Sequence, residues 1–203
     1  MLDYLLSIGA CILAVVGYII YYRNIKESGI TFNRLTWVIA SITVSLETIT
    51  YCAVSGNFVK SLYFIVCSVC VILITIKVWK SAIRTPFSQA QKYSLAFYSV
   101  AIALWPLFDL PYIAHLLLLI VIPLSFFPVY KSAYLHFKTE ESLPWLLWSV
   151  SDLLVIVIIW FNIKTLQELP YAIVSFICPF TVYAIIIFQR IRYAKTPKFL
   201  TAA

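Results

Sequence analysis

The sequence predicts an all-α integral membrane protein with seven transmembrane helices, arranged 3+1+3 as two parallel triple-helix bundles joined by a linker helix. Three observations support this fold class: an apolar composition, an internal repeat and an uneven distribution of basic residues. Hydrophobic residues make up 63% of the 203 residues and charged residues only 11%, and the mean hydropathy is +0.97. Since a soluble domain has about 25% charged residues, this chain has too little polar surface to face water on all sides.

Seven apolar segments are each close to the ~20 residues that a helix needs to cross the hydrocarbon core. They cover residues 2–22, 34–55, 60–79, 92–109, 111–131, 143–163 and 168–189. The first is not expected to be a cleaved signal peptide, because it has no basic leader, carries Asp3 and lacks a small-residue cleavage site. A tight turn is predicted at residues 109–111, where Pro111 stops the preceding helix.

The same residue pattern occurs twice, 108 positions apart and without a gap. Matching pairs are Tyr22/Tyr130, Trp37/Trp145, Ser41/Ser149, Leu46/Leu154 and Tyr63/Tyr171. A constant register over roughly sixty residues indicates duplication of a three-span unit. The fourth span has no counterpart, and it restores the direction of the second copy. The predicted division is a first repeat at 1–82, a linker helix at 83–110 and a second repeat with a cytoplasmic tail at 111–203.

The basic residues predict the orientation of the chain. Of the 15 lysines and arginines, all except Lys60 and Lys164 fall on one side of the seven spans. By the positive-inside rule that side is cytoplasmic, so we expect a multi-pass plasma (inner) membrane protein with its N-terminus outside and its C-terminus in the cytoplasm. The basic residues lie between hydrophobic runs rather than together on a wetted face, so the lipid bilayer and not nucleic acid is the expected partner.

Two carboxyl groups lie deep within predicted spans, Glu47 in the second and Asp152 in the sixth. An aspartate at a helix centre costs about 2.5–3.5 kcal/mol to insert, so such residues usually face a cavity or a partner. Asp152 is repeat-equivalent to Val44, three residues before Glu47, so both acids project from equivalent helix faces. Two interpretations stay open: an acid pair that binds solute or carries a proton, or protonated carboxyls bonded to neighbouring hydroxyls. Those hydroxyls belong to Thr43, Ser45 and Thr50.

Aromatic and hydroxyl residues accompany these acids. Trp148 and Ser149 share a helical stripe with Asp152, and Tyr51 lies one turn beyond Glu47. Stacking aromatic rings with a few aimed polar groups suit a small polar solute. The predicted solute site comprises Glu47, Asp152, Trp148, Tyr51, Ser149 and Ser41, the repeat equivalent of Ser149.

Other aromatic residues have a structural interpretation. Trp37 and Trp145 fall near the cytoplasmic face, where tryptophan commonly anchors a helix at the membrane interface. Trp148 lies one turn deeper and is open to either interpretation. Tyr63 and Tyr171 begin the third helix of each repeat and are predicted to serve packing.

Two prolines near the cytoplasmic helix ends, Pro128 and Pro144, are candidate hinges because each removes a backbone hydrogen bond. For Pro144 the alternative is the first turn of its helix, where proline is readily accommodated. Asp109 and His115, near the outer face, form either a gate pair or a solvated turn.

At the motif level the chain resembles the SWEET and PQ-loop superfamily of small-solute transporters, in residues 17–23 (GYIIYYR) and their repeat partners 125–131 (SFFPVYK). Pro128 occupies the place of a proline that this superfamily often follows with glutamine, although Val129 follows here. Pro144 matches the proline that opens the next helix. The resemblance covers nearly the whole chain, and it implies an outside N-terminus, parallel repeats and an inverting linker helix.

The resemblance weakens at the sugar site. The superfamily's stacking tryptophan and its substrate-binding asparagine are expected near Tyr51/Ile159 and Cys67/Ser175, and none of these four positions is Trp or Asn. This departure disfavours a plain sugar as the substrate.

Other chemistries find little support. The five cysteines lie in apolar segments and are read as free thiols, and Cys67-x-x-Cys70 has no second ligand pair for a metal. No Walker loop, HExxH motif or intramembrane Ser/His/Asp set occurs, so neither enzymatic activity nor a cofactor is expected. The expected function is alternating-access transport of a small polar or amine-bearing solute, with proton coupling left open. The alternative is a non-transporting membrane sensor or assembly protein. A monomer would suffice for one translocation path, and homo-oligomers stay open.

Overall fold

The computed structural model describes residues 2–28, 34–79, 89–108, 111–162 and 168–195. Within these ranges the chain forms seven α-helices. Their bounds are α1 Leu2–Ser28, α2 Arg34–Ser55, α3 Phe58–Val78, α4 Gln89–Phe108, α5 Pro111–Leu135, α6 Leu143–Phe161 and α7 Leu169–Lys195. Each helix coincides with one predicted span, so the all-helical, seven-helix prediction is confirmed. The bounds agree to within three residues, except that α1, α5 and α7 each end four to six residues later than predicted. Helices are the expected outcome, because lipid offers no hydrogen-bond partner to a backbone amide.

Five of the described helices contain segments long and apolar enough to cross a membrane. These segments are Leu2–Asn24, Trp37–Ser55, Phe58–Lys77, Leu143–Phe161 and Leu169–Lys195, and α5 adds a shorter apolar stretch at Leu119–Leu135. Large apolar side chains such as Phe127, Trp160 and Phe161 are exposed on the outer surface. A surface of this kind suits lipid as the surrounding solvent, so the chain is a multi-pass membrane protein.

The helices pack in a pattern that repeats along the chain. In the first half, α3 contacts both α1 and α2, and in the second half α7 contacts both α5 and α6. Between the halves, α1 packs against α6 and α2 packs against α5. Helix α4 lies beside α5 and also touches α2. Six helices therefore surround a common centre.

Small residues allow α1 and α6 to approach closely. Ala10, Ala14 and Gly17 follow one another at spacings of four and three residues on α1, and both alanines are fully buried. The indole Nε1 of Trp148 donates a hydrogen bond to the Ala14 carbonyl at 3.3 Å. A Cβ at Gly17 would lie 2.8 Å from the same Nε1, so only glycine leaves room for this ring.

A short connection joins α2 to α3. Gly56 adopts a positive φ of 55°, which favours glycine. Asn57 then caps α3, accepting a hydrogen bond from the Val59 amide at 2.9 Å. This turn brings Lys60 to the first turn of α3.

We call the helix ends that carry most of the basic residues the basic end and the opposite ends the far end. Described basic residues at the basic end include Arg23, Lys77, Lys131, Arg190 and Arg192. Lys60 lies at the far end, and Lys164 lies outside the described residues, as do Asp109 and Leu110 of the predicted turn.

Candidate functional site

A cavity of about 410 Å³ lies at the centre of the helices and is lined by residues of α1, α2, α3, α5, α6 and α7. Many of its lining residues are repeat equivalents of one another. These pairs are Tyr18/Phe126, Tyr21/Val129, Trp37/Trp145, Ala40/Trp148, Val44/Asp152, Tyr63/Tyr171, Cys67/Ser175 and Val71/Pro179. The volume falls within the range of about 300–1,000 Å³ that is typical of small-molecule sites.

Both predicted acids line this cavity and are buried, Glu47 with 4% and Asp152 with 5% of its surface exposed. Each acid accepts a hydrogen bond from a tyrosine of the opposite half of the chain. The Tyr171 hydroxyl donates to Glu47 Oε2 at 3.2 Å, and the Tyr63 hydroxyl donates to Asp152 Oδ1 at 2.8 Å. Because the two tyrosines are repeat equivalents, these bonds form a reciprocal pair that joins the two halves.

This pairing replaces the partners expected from the sequence. The hydroxyls of Thr43 and Thr50 bond to backbone carbonyls, Thr43 to Ile39 O at 2.7 Å and Thr50 to Glu47 O at 3.1 Å. Thr43 also bonds to the hydroxyl of Tyr98. The Ser45 hydroxyl pairs with that of Ser68 at 3.1 Å. The nearby hydroxyls are thus engaged elsewhere, as is usual for serine and threonine within a helix.

The cavity is acidic. Glu140 joins Glu47 and Asp152 among its lining residues, while no lysine, arginine or histidine is found among the described residues that line it. Glu47 Oε1 is buried and has no hydrogen-bond partner in the described part of the chain. A buried carboxylate oxygen without a partner is costly, so this atom is suited to receive a donor or a positive charge from a ligand.

Aromatic rings form the wall of the cavity towards the basic end. We call Tyr18, Tyr21, Trp37, Trp145 and Trp148 the aromatic cluster. The Tyr21 ring lies 5.6 Å from Trp37, 5.7 Å from Trp145 and 5.4 Å from Trp148, between centroids. Trp37 and Trp145 are 9% and 6% exposed, so they are not the interface anchors expected from the sequence. Their position near the helix ends suggested lipid contact, but the helix faces that carry them turn inward.

The remaining predicted site residues are not among the described lining residues; Tyr51 and Ser149 are buried, and Ser41 is half-buried. Tyr51 packs its ring against Phe64 and Tyr171, with centroid distances of 4.6 and 5.4 Å. Ser41 Oγ bonds to Thr75 Oγ1 at 2.7 Å, and Ser149 Oγ donates to the Trp145 carbonyl. Helical spacing placed these residues near the acids but could not tell which of them reach the cavity.

The two candidate hinge prolines differ in position. Pro128 lies inside α5, after Pro123, and it lines the cavity. Pro144 lies in the first turn of α6 and is buried, which is the alternative position foreseen for it. Pro179 lies inside α7 and also lines the cavity, although it is not among the hinges predicted from the sequence.

A buried ion pair lies beyond the acids at the far end. Lys60 Nζ lies 2.5 Å from Glu168 Oε2, and both side chains are only 1% exposed. The same ammonium donates to the Asn162 carbonyl at 2.6 Å. Lys60 and Glu168 are 108 positions apart, so they are repeat equivalents of each other. The repeat register in the sequence could therefore have identified this pair.

At the basic end, the segment between α5 and α6 carries a third acid into the cavity. Glu140 is buried, and its Oε1 accepts a hydrogen bond from Trp145 Nε1 at 3.2 Å. Arg190 of α7 holds the segment by donating to the carbonyls of Glu140 and Phe137, at 2.7 and 3.1 Å. Burial raises the pKa of the Glu140 carboxyl above its ordinary value, although the bond from Trp145 acts in the opposite direction.

The described residues contain no group of three or more His, Cys, Asp or Glu side chains that could hold a metal ion. All five cysteines are free thiols. Cys67 lines the cavity, whereas Cys70 lies one turn further along α3 and is half-buried. The candidate gate pair is not part of the described structure, since Asp109 and the side chain of His115 lie outside the described residues.

Comparisons with protein-family models, with curated proteins and with solved structures give no significant match. The contacts and charges of the cavity therefore carry the inference of function.

Proposed function

We propose that the protein is a membrane transporter that moves a small amine-bearing solute by alternating access, with its substrate site in the central cavity. The observation that carries the proposal is the charge of that cavity, where Glu47, Asp152 and Glu140 face a space without a described cation. A buried set of carboxyl groups attracts a positively charged ligand, since the ligand replaces the missing countercharge.

We further propose a 3+1+3 arrangement, with repeats at 1–82 and 111–203 and a linker helix at 83–110. The packing supports it, because the contacts of α3 with α1 and α2 match those of α7 with α5 and α6. The repeat pairs α1 with α5 and α2 with α6. It therefore relates the contact of α1 with α6 to the contact of α5 with α2, and both contacts are present. A two-fold axis along the membrane normal would relate parallel repeats in this way. Membership in the SWEET and PQ-loop superfamily is part of this proposal.

In the proposed cycle the two halves rock about the cavity. The ion pair of Lys60 with Glu168 holds the far end closed in the present conformation, and the opposite movement separates it. The far end is then the outer face and the basic end the cytoplasmic face, in agreement with the distribution of basic residues. The reciprocal hydrogen bonds donated by Tyr63 and Tyr171 also connect the two halves. When the halves rock, these bonds break, and the carboxyl groups that accepted them bind the solute or a proton instead.

The test is uptake by proteoliposomes that contain the purified protein, using a panel of amines, amino acids and sugars at two pH values. We expect accumulation of at least one amine-bearing solute and no uptake of sugars. The variants Glu47→Gln and Asp152→Asn should each lower uptake at least about tenfold. Asp3→Asn, which changes an acid in the first turn of α1 away from the cavity, is the matched control. Uptake equal to that of empty vesicles for every solute would refute the proposal.

A non-transporting sensor or assembly protein is the second candidate, favoured by the internal bonds that Glu47 and Asp152 receive from tyrosines. A receptor would bind a ligand in the cavity and still show no uptake in the same vesicles. Binding measured beside uptake therefore separates the two functions.

A further inference from the structure

The aromatic cluster gives the acidic cavity a second recognition element. The rings of Tyr21, Trp145 and Trp148 are mutually within 6 Å, with 4.9 Å between the centroids of the two tryptophans. The ring centroid of Tyr18, on α1, lies 4.7 Å from that of Trp148. All of these residues line the cavity. An aromatic wall of this density offers several π faces to one ligand group.

The indole N–H groups of this wall already have acceptors. Trp145 Nε1 donates to Glu140 Oε1 at 3.2 Å, and Trp148 Nε1 donates to the Ala14 carbonyl at 3.3 Å. The ring of Trp148 is further fixed by its contact with Gly17. What these two indoles offer a ligand is therefore their π surface rather than a hydrogen bond, and the negative face of that surface attracts cations.

Acids lie at both ends of the aromatic wall. Glu140 lies on its basic-end side, and Asp152 lies one turn beyond Trp148 towards the far end. Glu47 faces the same space with its unpartnered Oε1. A cation seated against the rings would be attracted by carboxyl groups from both directions, while the rings exclude water around it.

We propose that the solute carries a methylated, quaternary-type ammonium group, and that this group binds against the aromatic cluster between Glu140 and Asp152. The inference rests on the proposed function, whose substrate class it narrows. A primary ammonium presents three N–H donors, and although the carboxyl groups could accept from it, the aromatic faces that surround the proposed position supply no oxygen acceptor. A trimethylammonium group has no N–H donor and places its charge in methyl groups that pack on aromatic faces.

The experiment measures binding to the purified full-length protein in lipid nanodiscs by isothermal titration calorimetry, with three probes. Choline carries the trimethylammonium group, 3,3-dimethylbutan-1-ol has the same shape without charge, and ethanolamine is the corresponding primary amine. We expect choline to bind at least about thirtyfold more tightly than the uncharged isostere and about tenfold more tightly than ethanolamine. Equal affinity for choline and the isostere would overturn the proposal, as would tighter binding of ethanolamine or failure of all three to bind.

Substitutions of tryptophan residues test whether the ammonium group of choline binds against the aromatic cluster. Trp148→Leu should weaken choline binding about tenfold or more, and Trp148→Phe, which retains a ring, should weaken it less. Trp160→Leu is the control, because Trp160 is 65% exposed on the outer surface of the same helix. Thermal unfolding of each variant checks that it folds. Unchanged choline affinity in a folded Trp148→Leu variant would overturn the assignment.

Uptake separates this inference from the function on which it rests. Choline that binds, while proteoliposomes accumulate neither choline nor any other solute of the panel, supports the site and refutes transport. Uptake of other amines with no binding or uptake of choline supports transport and refutes the methylated-ammonium site.

Discussion

Removing one partner of the buried Lys60–Glu168 pair is expected to destabilise the protein strongly. In Lys60→Met, the Glu168 carboxylate stays buried with neither its cation nor a route to water, and the Asn162 carbonyl loses the donor that now lies 2.6 Å away. Breaking one side of a buried pair costs about 3–5 kcal/mol. For a chain of this size, about 2–4 °C of Tm accompanies each kcal/mol, so a fall of about 6–20 °C is expected.

The repeat allows a sharper variant, in which the two residues exchange places as Lys60→Glu with Glu168→Lys. Because the two positions are repeat equivalents, 108 residues apart, and their side chains are in direct contact, the exchanged side chains are expected to form the same pair. The exchanged protein should therefore recover most of the stability that each single charge reversal loses. Recovery of this kind is a coupling energy, which a double-mutant cycle measures directly.

The assay is thermal unfolding of the purified variants in nanodiscs, followed by tryptophan fluorescence. Lys77→Met, at an exposed position near the end of the same helix, is the control and should change the Tm little. A Lys60→Met variant that is as stable as the parent protein would refute the buried pair. An exchanged variant that is no more stable than the single reversals would refute its symmetric placement.

Three further predictions concern the cavity. Gly17→Ala places a Cβ 2.8 Å from Trp148 Nε1 and should cost about 1–3 kcal/mol of unfolding free energy while it shifts the tryptophan emission. Tyr63→Phe removes the donor to buried Asp152 and should cost about 1–3 kcal/mol in the same unfolding assay. Burial raises the pKa of Glu140 above its ordinary value of 4.5. Just above this pH, Glu140 therefore keeps its proton in the folded protein and loses it in the unfolded chain. Protection of residues 136–142 against hydrogen exchange should therefore weaken as the pH rises above 4.5, and less so in Glu140→Gln.

Each of these variants has a matched control. Gly9→Ala adds a Cβ whose nearest neighbour is Leu154 Cδ1 at 4.0 Å, so it should be tolerated. Tyr4→Phe changes an exposed tyrosine, and Glu141→Gln changes the half-buried acid next to Glu140. An effect of the same size in a control variant as in its partner would contradict the corresponding prediction.

The helices were predictable because membrane insertion depends on local composition. A run of about 20 apolar residues must form a helix in lipid whatever surrounds it, so the positions of the seven spans followed from the sequence. The polar ends of α1, α5 and α7 did not, because these helices continue four to six residues past the apolar runs. The depth of Glu47 and Asp152 followed from the positions of the spans. Their shared orientation followed from the repeat register, because equivalent helices present equivalent faces.

The contacts between side chains of different helices could not be predicted from local composition in the same way. Serine and threonine neighbours are the partners that the sequence offers to Glu47, yet the bond comes from Tyr171, 124 residues away. Trp37 near a helix end resembled a lipid anchor, but α2 turns that face towards the cavity. Spacing along one helix identifies a stripe, and only the packing of several helices decides whether that stripe meets lipid, another helix or an open space.

By itself, then, the chain determined that it crosses a membrane as helices, that one residue pattern recurs 108 positions apart and that two acids lie deep within it, because each of these depends on composition or register alone. Tertiary packing decided that the acids share one cavity and that each accepts a hydrogen bond from a tyrosine of the opposite half. It also decided that Lys60 forms an ion pair with Glu168 at the far end. These are contacts between residues that are distant in sequence, and their geometry exists only once the helices have assembled.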